Sequence, residues 1–418
     1  MSLRLLNIAR TSLLSHRAAL EVIGQNTANV ETPGYVRQRP ILSTLPDGGG
    51  VDVTDVHRLT DELLLAQKRY QSGWLGQDAA TSAALDQVEH IFTDVLDGGM
   101  ASRIEEMFDA WADLGLSPTS AAAREQVIQR AELAAGSITE RWQGLNDLRF
   151  EIDQRLGTMV EQANELAYAI DEANRQLISV SSPSAANDIM SQRDVLVDEL
   201  AEMCGAEVIR QENGVVDVVI GGLRIVELSA VSELRLVPDP GQPGMHLIAL
   251  GDITLGGELR GEMAGRLRAR DDLMPDYMVR LDQLAQTLAD EVNFLHTVGF
   301  DLAGNPGEDF FEYDAAAPSA SLKVRDAIQA DSSLIAASTD ATVAGDGTNA
   351  LAIEDLRNSR ALAGGTTTLA EFAGDIVAEV GIDGAAARTR LDGRQTLVDN
   401  LREAHASRTG VSLDEEAL

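Results

Sequence analysis

The chain has 418 residues and sets 33 lysines and arginines against 67 aspartates and glutamates, a formal net charge of −34. Phosphate binding draws on a cationic footprint that such a chain lacks overall, which excludes nucleic acid from the expected partners. The single cysteine, Cys204, excludes an internal disulfide framework and a Cys-rich zinc module, and with only 4% aromatic residues the core has to be built from Ala, Leu, Ile and Val, as long packed helices are.

No run approaches the roughly 20 apolar residues of a membrane span. The opening residues 1–11 hold no uninterrupted apolar stretch, so neither membrane insertion nor a cleaved secretory signal is expected. Residues 1–40 carry Arg4, Arg10, Arg17, Arg37 and Arg39 against Glu21 and Glu31, a net of +3, which leaves −37 of the −34 total for the remainder. The amino terminus is therefore electrostatically distinct.

The first predicted helix runs from Leu3 to Val30. Leu6, Leu13, Leu20 and Thr27 recur every seven residues, as do Ala9, His16, Ile23 and Val30, so one stripe faces a partner helix, with His16 on it as a packing residue. Pro33 disfavours helical geometry at Thr32 and Gly34 suits a turn, so the helix should stop near Glu31. A second helix is predicted from Thr60 or Asp61 to about Asp97, broken by Asp97-Gly98-Gly99, and a third from Ser102 to Leu114.

The longest helix is predicted to start around Ser117-Pro118 and to carry a seam over residues 138–177. One heptad position reads Ile138, Leu145, Ile152, Met159, Leu166, Ala173, and its partner reads Trp142, Arg149, Leu156, Ala163, Ile170, Leu177. This pattern predicts a coiled-coil-like rod of roughly 60 Å, with Leu148 covering the seam at Arg149. After Ser181-Ser182-Pro183 and a shorter helix around Arg193 to Met203, the period changes to two. Strands are predicted at Glu207–Arg210, Val215–Ile220, Arg224–Leu228, Leu234–Val237 and His246–Leu250, with Asn213-Gly214 and Gly221-Gly222 as turns. Helix resumes from Gly265 to Thr297, turns and short strands fill 298–350, and a last helix starts at Leu369 or Ala385 and ends at Ser407.

A search for chemistry finds none. The chain lacks His-Glu-x-x-His, the phosphate-loop pattern, Gly-x-Ser-x-Gly and Cys-x-x-Cys, and its histidines (16, 57, 90, 246, 296, 405) do not pair at ligand spacing. No catalytic residue, cofactor site or metal site is therefore assigned. Asn293 and His296 share a helix face and read as a satisfied cap. Asp301, Asn305, Glu308 and Asp309 gather oxygens in one Gly-rich loop whose spacing does not match an EF-hand, which leaves it the best calcium candidate of a weak set. Cys204 reads as a small buried hydrophobe. Both ends carry apolar-striped helices around a helical middle and a β lobe, a plan that suits assembly with neighbours better than a substrate pocket.

Asn26-Thr27-Ala28-Asn29-Val30-Glu31-Thr32-Pro33-Gly34-Tyr35, at the end of the first helix, resembles the amino-terminal signature of the bacterial flagellar axial proteins, the rod, hook and hook-associated family. Pro118 to Arg124, Gln192-Arg193-Asp194, the set Asn293, His296, Gly299, Asp301, Gly304, Gly307, Phe310 and Phe311, and Gly410-Val411-Ser412-Leu413-Asp414-Glu415-Glu416-Ala417 resemble its hook-associated members. The resemblance covers nearly the whole chain. It implies a non-catalytic structural protein without cofactors, polymerising through its terminal helices at the extracellular junction of hook and filament after export by the flagellar type III system. Implied partners are the hook protein, other hook-associated proteins, filament flagellin and an export chaperone. The implied state is a monomer in solution and a homo-oligomer only in the assembled flagellum, with no nucleic acid and no membrane insertion.

On this reading Leu6, Leu13, Leu20 and Ile23 form the assembly interface, and Asn26, Asn29, Thr32, Pro33, Gly34 and Tyr35 form the axial motif. In the family the Leu-Asp-Glu-Glu-Ala segment opens a carboxy-terminal helix of several turns that partners the first helix; this sequence ends about one turn in, and the helix is expected to be truncated. The expected fold is mainly α with an inserted β domain (α+β), elongated and multi-domain. Its expected division is 1–57 (amino-terminal axial helix and exit turn), 58–205 (first part of the long-helix rod), 206–262 (β domain) and 263–418 (return helix, mixed region and carboxy-terminal helical part). The alternatives are a hook or rod axial protein or, from another class, a cell-wall hydrolase with paired carboxylates in a cleft.

Overall fold

In the computed structural model, residues 2–46, 49–93, 99–211, 214–228 and 230–412 are described. Their elements run α1 (Ser2–Ala28), β1 (Gln38–Thr44), β2 (Val51–Arg58), α2 (Glu62–Phe92), α3 (Gly99–Leu116), α4 (Ala121–Ser179) and α5 (Pro183–Cys204). The lobe follows as β3 (Glu207–Arg210), β4 (Val216–Ile220), β5 (Leu223–Glu227), β6 (Ala230–Val231), β7 (Leu234–Pro238), β8 (His246–Leu250) and β9 (Ile253–Leu255). Then come α6 (Gly261–Arg268), a π turn at Ala269–Leu273, α7 (Met274–Val298), β10 (Phe311–Glu312), α8 (Pro318–Ser321), β11 (Lys323–Val324), α9 (Asp326–Ala330), α10 (Thr348–Glu354) and α11 (Leu369–Thr409). The fold is thus mainly α with small antiparallel sheets. Asp97, Gly98 and Asn213 of the expected breaks, and residues 413–418 of the terminal motif, lie outside the described residues.

Two compact units emerge, one from 1–81, 153–266 and 388–418, the other from 82–152 and 267–387. In the first, α1 lies on the hairpin β1/β2, whose antiparallel register runs from Gln38 opposite Arg58 to Thr44 opposite Val51. The lobe is two antiparallel sheets, ordered β3-β4-β5-β6 and β7-β8-β9. Gly221 and Gly222, both with positive φ (55° and 81°), make the two-residue β4/β5 turn whose twist matches the strands. Val216, Val218, Ile220, Ile225, Val226, Ile248 and Leu250 form the lobe's buried side.

Three polar side chains of α4 fasten this lobe in the manner of strand partners. Asn174 donates to the Val216 carbonyl (2.8 Å) and accepts from its N–H (3.2 Å), and Asn164 treats Leu234 the same way (2.9 Å each). Asp153 accepts the His246 N–H (2.9 Å) and pairs with its ring Nδ1 (2.7 Å). Each bond set saturates backbone groups that would otherwise be orphaned at a strand edge.

The second unit packs α3, α7, α10, the start of α4 and the first half of α11 around Trp111, Phe108, Met107, Leu281, Leu288, Phe310 and Ile353, all fully buried. Arg124, itself buried, donates to the carbonyls of Pro118 (2.8 Å), Ser332 (3.2 Å) and Ile335 (2.7 Å) and so ties the turn before α4 to the chain after α9.

Several expectations need correction. Helix α4 begins at Ala121, after a turn closed by Ser120 N–H to Ser117 O, because Ser120 caps it by accepting the Ala123 N–H (3.3 Å). Helix α11 starts at the earlier of the two candidates, Leu369, where Thr368 and Glu371 form a reciprocal capping box. Hairpin β1/β2 was not expected at all. On α4, the seam positions Trp142, Arg149, Leu166 and Ala173 are only half-buried, whereas Leu148, Val160, Ala167 and Asn174 are buried in their stead. A straight helix of 3.6 residues per turn drifts about 20° per heptad, so a strict seven-residue stripe leaves the interior.

Candidate assembly surface

Helix α1 presents two unlike faces. The inner one is largely polar: Thr11 Oγ1 donates to the Gly49 carbonyl (3.0 Å), Ser15 Oγ to the Val51 carbonyl (2.6 Å), and Val22 is the buried apolar residue between them and Asn26. Asn26, 1% exposed, is the hub. Its Nδ2 donates to Gln38 O (2.9 Å), while its Oδ1 accepts the Gln38 N–H (2.9 Å) and the Tyr35 hydroxyl (3.0 Å). One amide side chain therefore satisfies both backbone groups of the residue that opens β1, and fixes the angle at which the chain leaves the helix.

The exit turn follows from the same motif. Asn29 N–H closes the last helical turn on Gln25 O (3.0 Å), Thr32 N–H bonds Asn29 O (2.9 Å) and Tyr35 N–H bonds Thr32 O (3.1 Å). The Thr32 hydroxyl donates to Asn29 Oδ1 (3.1 Å). Gly34 has φ of +76°, and a Cβ there would sit 2.3 Å from Val195 Cγ2 on α5, so both backbone and space demand glycine. Pro33 is exposed and Tyr35 half-buried. Beyond the turn, the Arg37 N–H reaches the Thr409 carbonyl at the end of α11 (2.9 Å).

The outer face of α1 carries Leu6, Arg10, Leu13, Arg17, Leu20 and Gly24, spaced alternately four and three residues apart and so stacked in one line. Leu6, Leu13 and Leu20 are 69%, 72% and 67% exposed. Ile23, grouped with them from the sequence, sits at the flank, half-buried, and His16 is exposed rather than packed. The structure thus brings the motif residues together on the inner side and turns the leucines away from them. Thr11 and Ser15, which fasten the helix to the hairpin, carried no sequence signal beyond being polar and opposite the leucines.

The other candidates are internally satisfied. Asn293 accepts the N–H groups of Phe310 and Phe311 (2.8 Å each) and donates to Phe311 O (2.9 Å), while His296, fully buried, bonds Glu308 O through Nδ1 and accepts the Ala336 N–H at Nε2 (2.9 Å). Burial pushes that imidazole down to about 4. In the loop considered for calcium, Asp301 spends its carboxylate on Ala303 N–H (2.8 Å), Asn305 N–H (2.8 Å) and the Asn305 amide (3.1 Å), and Glu308 faces Arg325 (3.3 Å). Burial raises the Cys204 thiol, whose Sγ lies 3.1 Å from the Leu200 carbonyl. Among the described residues no group of three or more His, Cys, Asp or Glu is placed to hold a metal ion, and no helix is long and apolar enough to cross a membrane.

The family model described as the flagellar hook-associated protein FlgK helical domain matches residues 85–311. Flagellar hook-associated protein 1 of Salmonella typhimurium (strain LT2) is 30% identical over 328 residues, 73% of this chain and 59% of that protein. The protein of the same name from Bacillus subtilis (strain 168) is 24% identical over 463 residues, 98% of this chain and 91% of that one. The chain accordingly spans about three-fifths of the length of the Salmonella relative. The flagellar hook junction protein FlgK from Burkholderia pseudomallei superposes with a TM-score of 0.74 at 17% identity, over 83% of this chain and all of that one, a likeness in fold.

Proposed function

Since the chain belongs to the FlgK family of flagellar hook-associated proteins, we propose that it is a non-catalytic structural subunit joining hook to filament, assembled through the outward face of α1. The observation that carries this reading is the line Leu6, Leu13 and Leu20, exposed on a helix whose opposite face is already held by the hairpin. Three large leucines in water forgo roughly 1.5 to 3 kcal/mol each of burial free energy, which a neighbouring axial helix recovers. The basic charge of residues 1–40 on an otherwise acidic chain then favours acidic neighbours and opposes self-stacking of the same segment.

In this role the subunit is exported by the flagellar type III apparatus with an export chaperone, remains a monomer in solution and orders into an oligomer only at the extracellular hook end, against hook protein, other hook-associated proteins and flagellin. Cofactors, nucleic acid and membrane insertion play no part. The 1–57, 58–205, 206–262 and 263–418 division serves as its working anatomy: axial helix, rod, outer lobe and returning rod.

The test is a double change of Leu13 and Leu20 to Asp. Both side chains are exposed, so the purified variant should keep the parent's melting temperature to within about 2 °C and stay monomeric. Cells carrying it should lose the protein from isolated hook-basal bodies and shed flagellin. Normal incorporation of the variant would remove α1's outer face from the assembly mechanism.

A further inference from the structure

In a chain this acidic, five cations crowd together in the first unit beneath the base of the hairpin. Arg58 Nη2 and Arg69 Nη2 share Asp194 (3.0 and 3.2 Å), Arg69 Nε and Lys68 share Asp198 (2.6 Å each), and Arg210 pairs with Glu62 (2.5 Å). Arg193, fully buried, has no carboxylate bond; its Nη1 reaches Asn174 Oδ1 (3.3 Å) and Gly214 O (2.7 Å). The group thus holds five cations against three carboxylates. Three buried guanidinium nitrogens, Arg58 Nε and Arg193 Nε and Nη2, find no hydrogen-bond acceptor. A buried donor left unmade is expensive, and buried arginine is ordinarily matched by anionic oxygen. Burial and the neighbouring Arg210, Arg58 and Arg69 push the Arg193 guanidinium down to about 10, a sign of the same positive excess.

Beside this cluster opens a cavity of about 310 Å³ lined by Asp55, His57, Arg58, Glu62, Asn187 and Arg210 among others. Arg58, 7% exposed and carrying one of the unmatched nitrogens, forms part of its wall. The first turns of α2 and α5, at Glu62 and Ala186, adjoin it and add the positive end of two helix dipoles. The two carboxylates present are engaged elsewhere: Glu62 with Arg210, and Asp55 with the N–H of Val56 (2.8 Å).

We propose that this cavity is a binding site for one oxyanion of the phosphate or carboxylate class, held by Arg58 and Arg210 at the base of the β1/β2 hairpin. Occupancy supplies the missing counter-charge and ties the hairpin, through Arg58, to β3, through Arg210. A free phosphate ion and the acidic side chain of a neighbouring protein offer the same oxygens.

The experiment titrates the intact protein with sodium phosphate and, separately, with sodium acetate, against sodium chloride at matched ionic strength, following melting temperature and the arginine side-chain ¹⁵N resonances. Phosphate should raise the melting temperature saturably above the chloride control and shift the Arg58 resonance. Acetate doing the same assigns the site to carboxylates and hence to an acidic partner; acetate without effect assigns it to free phosphate. Arg210→Gln, at an exposed position, should weaken binding about tenfold, one charge-assisted bond being worth that much. Glu62→Gln, which removes the competing carboxylate, should tighten it, and Arg235→Gln, on β7, should leave it unchanged. Phosphate and acetate no better than chloride, or Arg210→Gln and Glu62→Gln both binding as the parent does, would overturn the proposal.

Discussion

Asparagine recurs in this protein as a stand-in for a length of strand. Asn26, Asn164 and Asn174 each offer one N–H donor and one carbonyl acceptor to the two backbone groups of a single residue, Gln38, Leu234 and Val216. Asn26→Ala leaves both groups of Gln38 and the Tyr35 hydroxyl without partners, so it should cost about 2 to 4 kcal/mol in chemical denaturation. Asn29→Ala, on the half-buried side of the turn, should cost under about 1 kcal/mol. A comparable loss at both positions would show that the hub is misplaced. His296 supplies a second test at this scale. Its folded pKa of about 4 lies below the ordinary 6.5, so the unfolded chain takes up the proton first. Its contribution is complete above pH 6.5 and disappears as pH falls towards 4, by about 3 kcal/mol at 1.36 kcal/mol per unit. His296→Gln should lack that increment, and a denaturation midpoint as acid-sensitive in the variant as in the parent would refute it. The sequence made Asn293 and His296 visible as a pair sharing a helix face, but neither Asn164 nor Asn174 stood out, because a mid-helix asparagine has no signature until the strand beside it is placed.

The elements show why some of the fold was readable and some was not. Helix α4 advertised itself through apolar recurrence, yet recurrence alone fixed the seam only near its middle, where Ile152, Leu156 and Met159 are buried. Leu156→Asp should unfold the protein, whereas Leu166→Asp, half-buried, should lower stability by less and Glu161→Asp hardly at all. Equal damage at 156 and 166 would restore the strict heptad. The lobe strands were legible because alternation ended in glycine-bearing turns, and β8 runs from His246 to Leu250 as expected. Hairpin β1/β2 was obscured by Pro40 and by a mostly exposed, polar pair of strands, although Val51, Val53 and Val56 carry a faint alternation in β2. Since α1 meets that hairpin mainly through Thr11, Ser15 and Asn26, with little apolar area between them, amide exchange should release α1 and the hairpin together and well before the centre of α4. Protection of residues 6–27 equal to that of α4 would mean that α1 needs no outside partner.

At the scale of the whole molecule, the first unit is assembled from three separated stretches of chain, and the second is made from the two stretches between them. Its closing contacts join the ends: Arg37 N–H to Thr409 O, and Arg408 to Asp61 across 347 residues. Bringing such distant points together costs about 5 kcal/mol of chain entropy before any contact is made. For a chain that emerges amino terminus first, the exit turn and hairpin must therefore wait, unsealed, until residue 409 has followed. The second unit, nested within, has all its parts sooner. Folding thus runs from the inside outwards in sequence terms, and the last stretch to arrive locks the first.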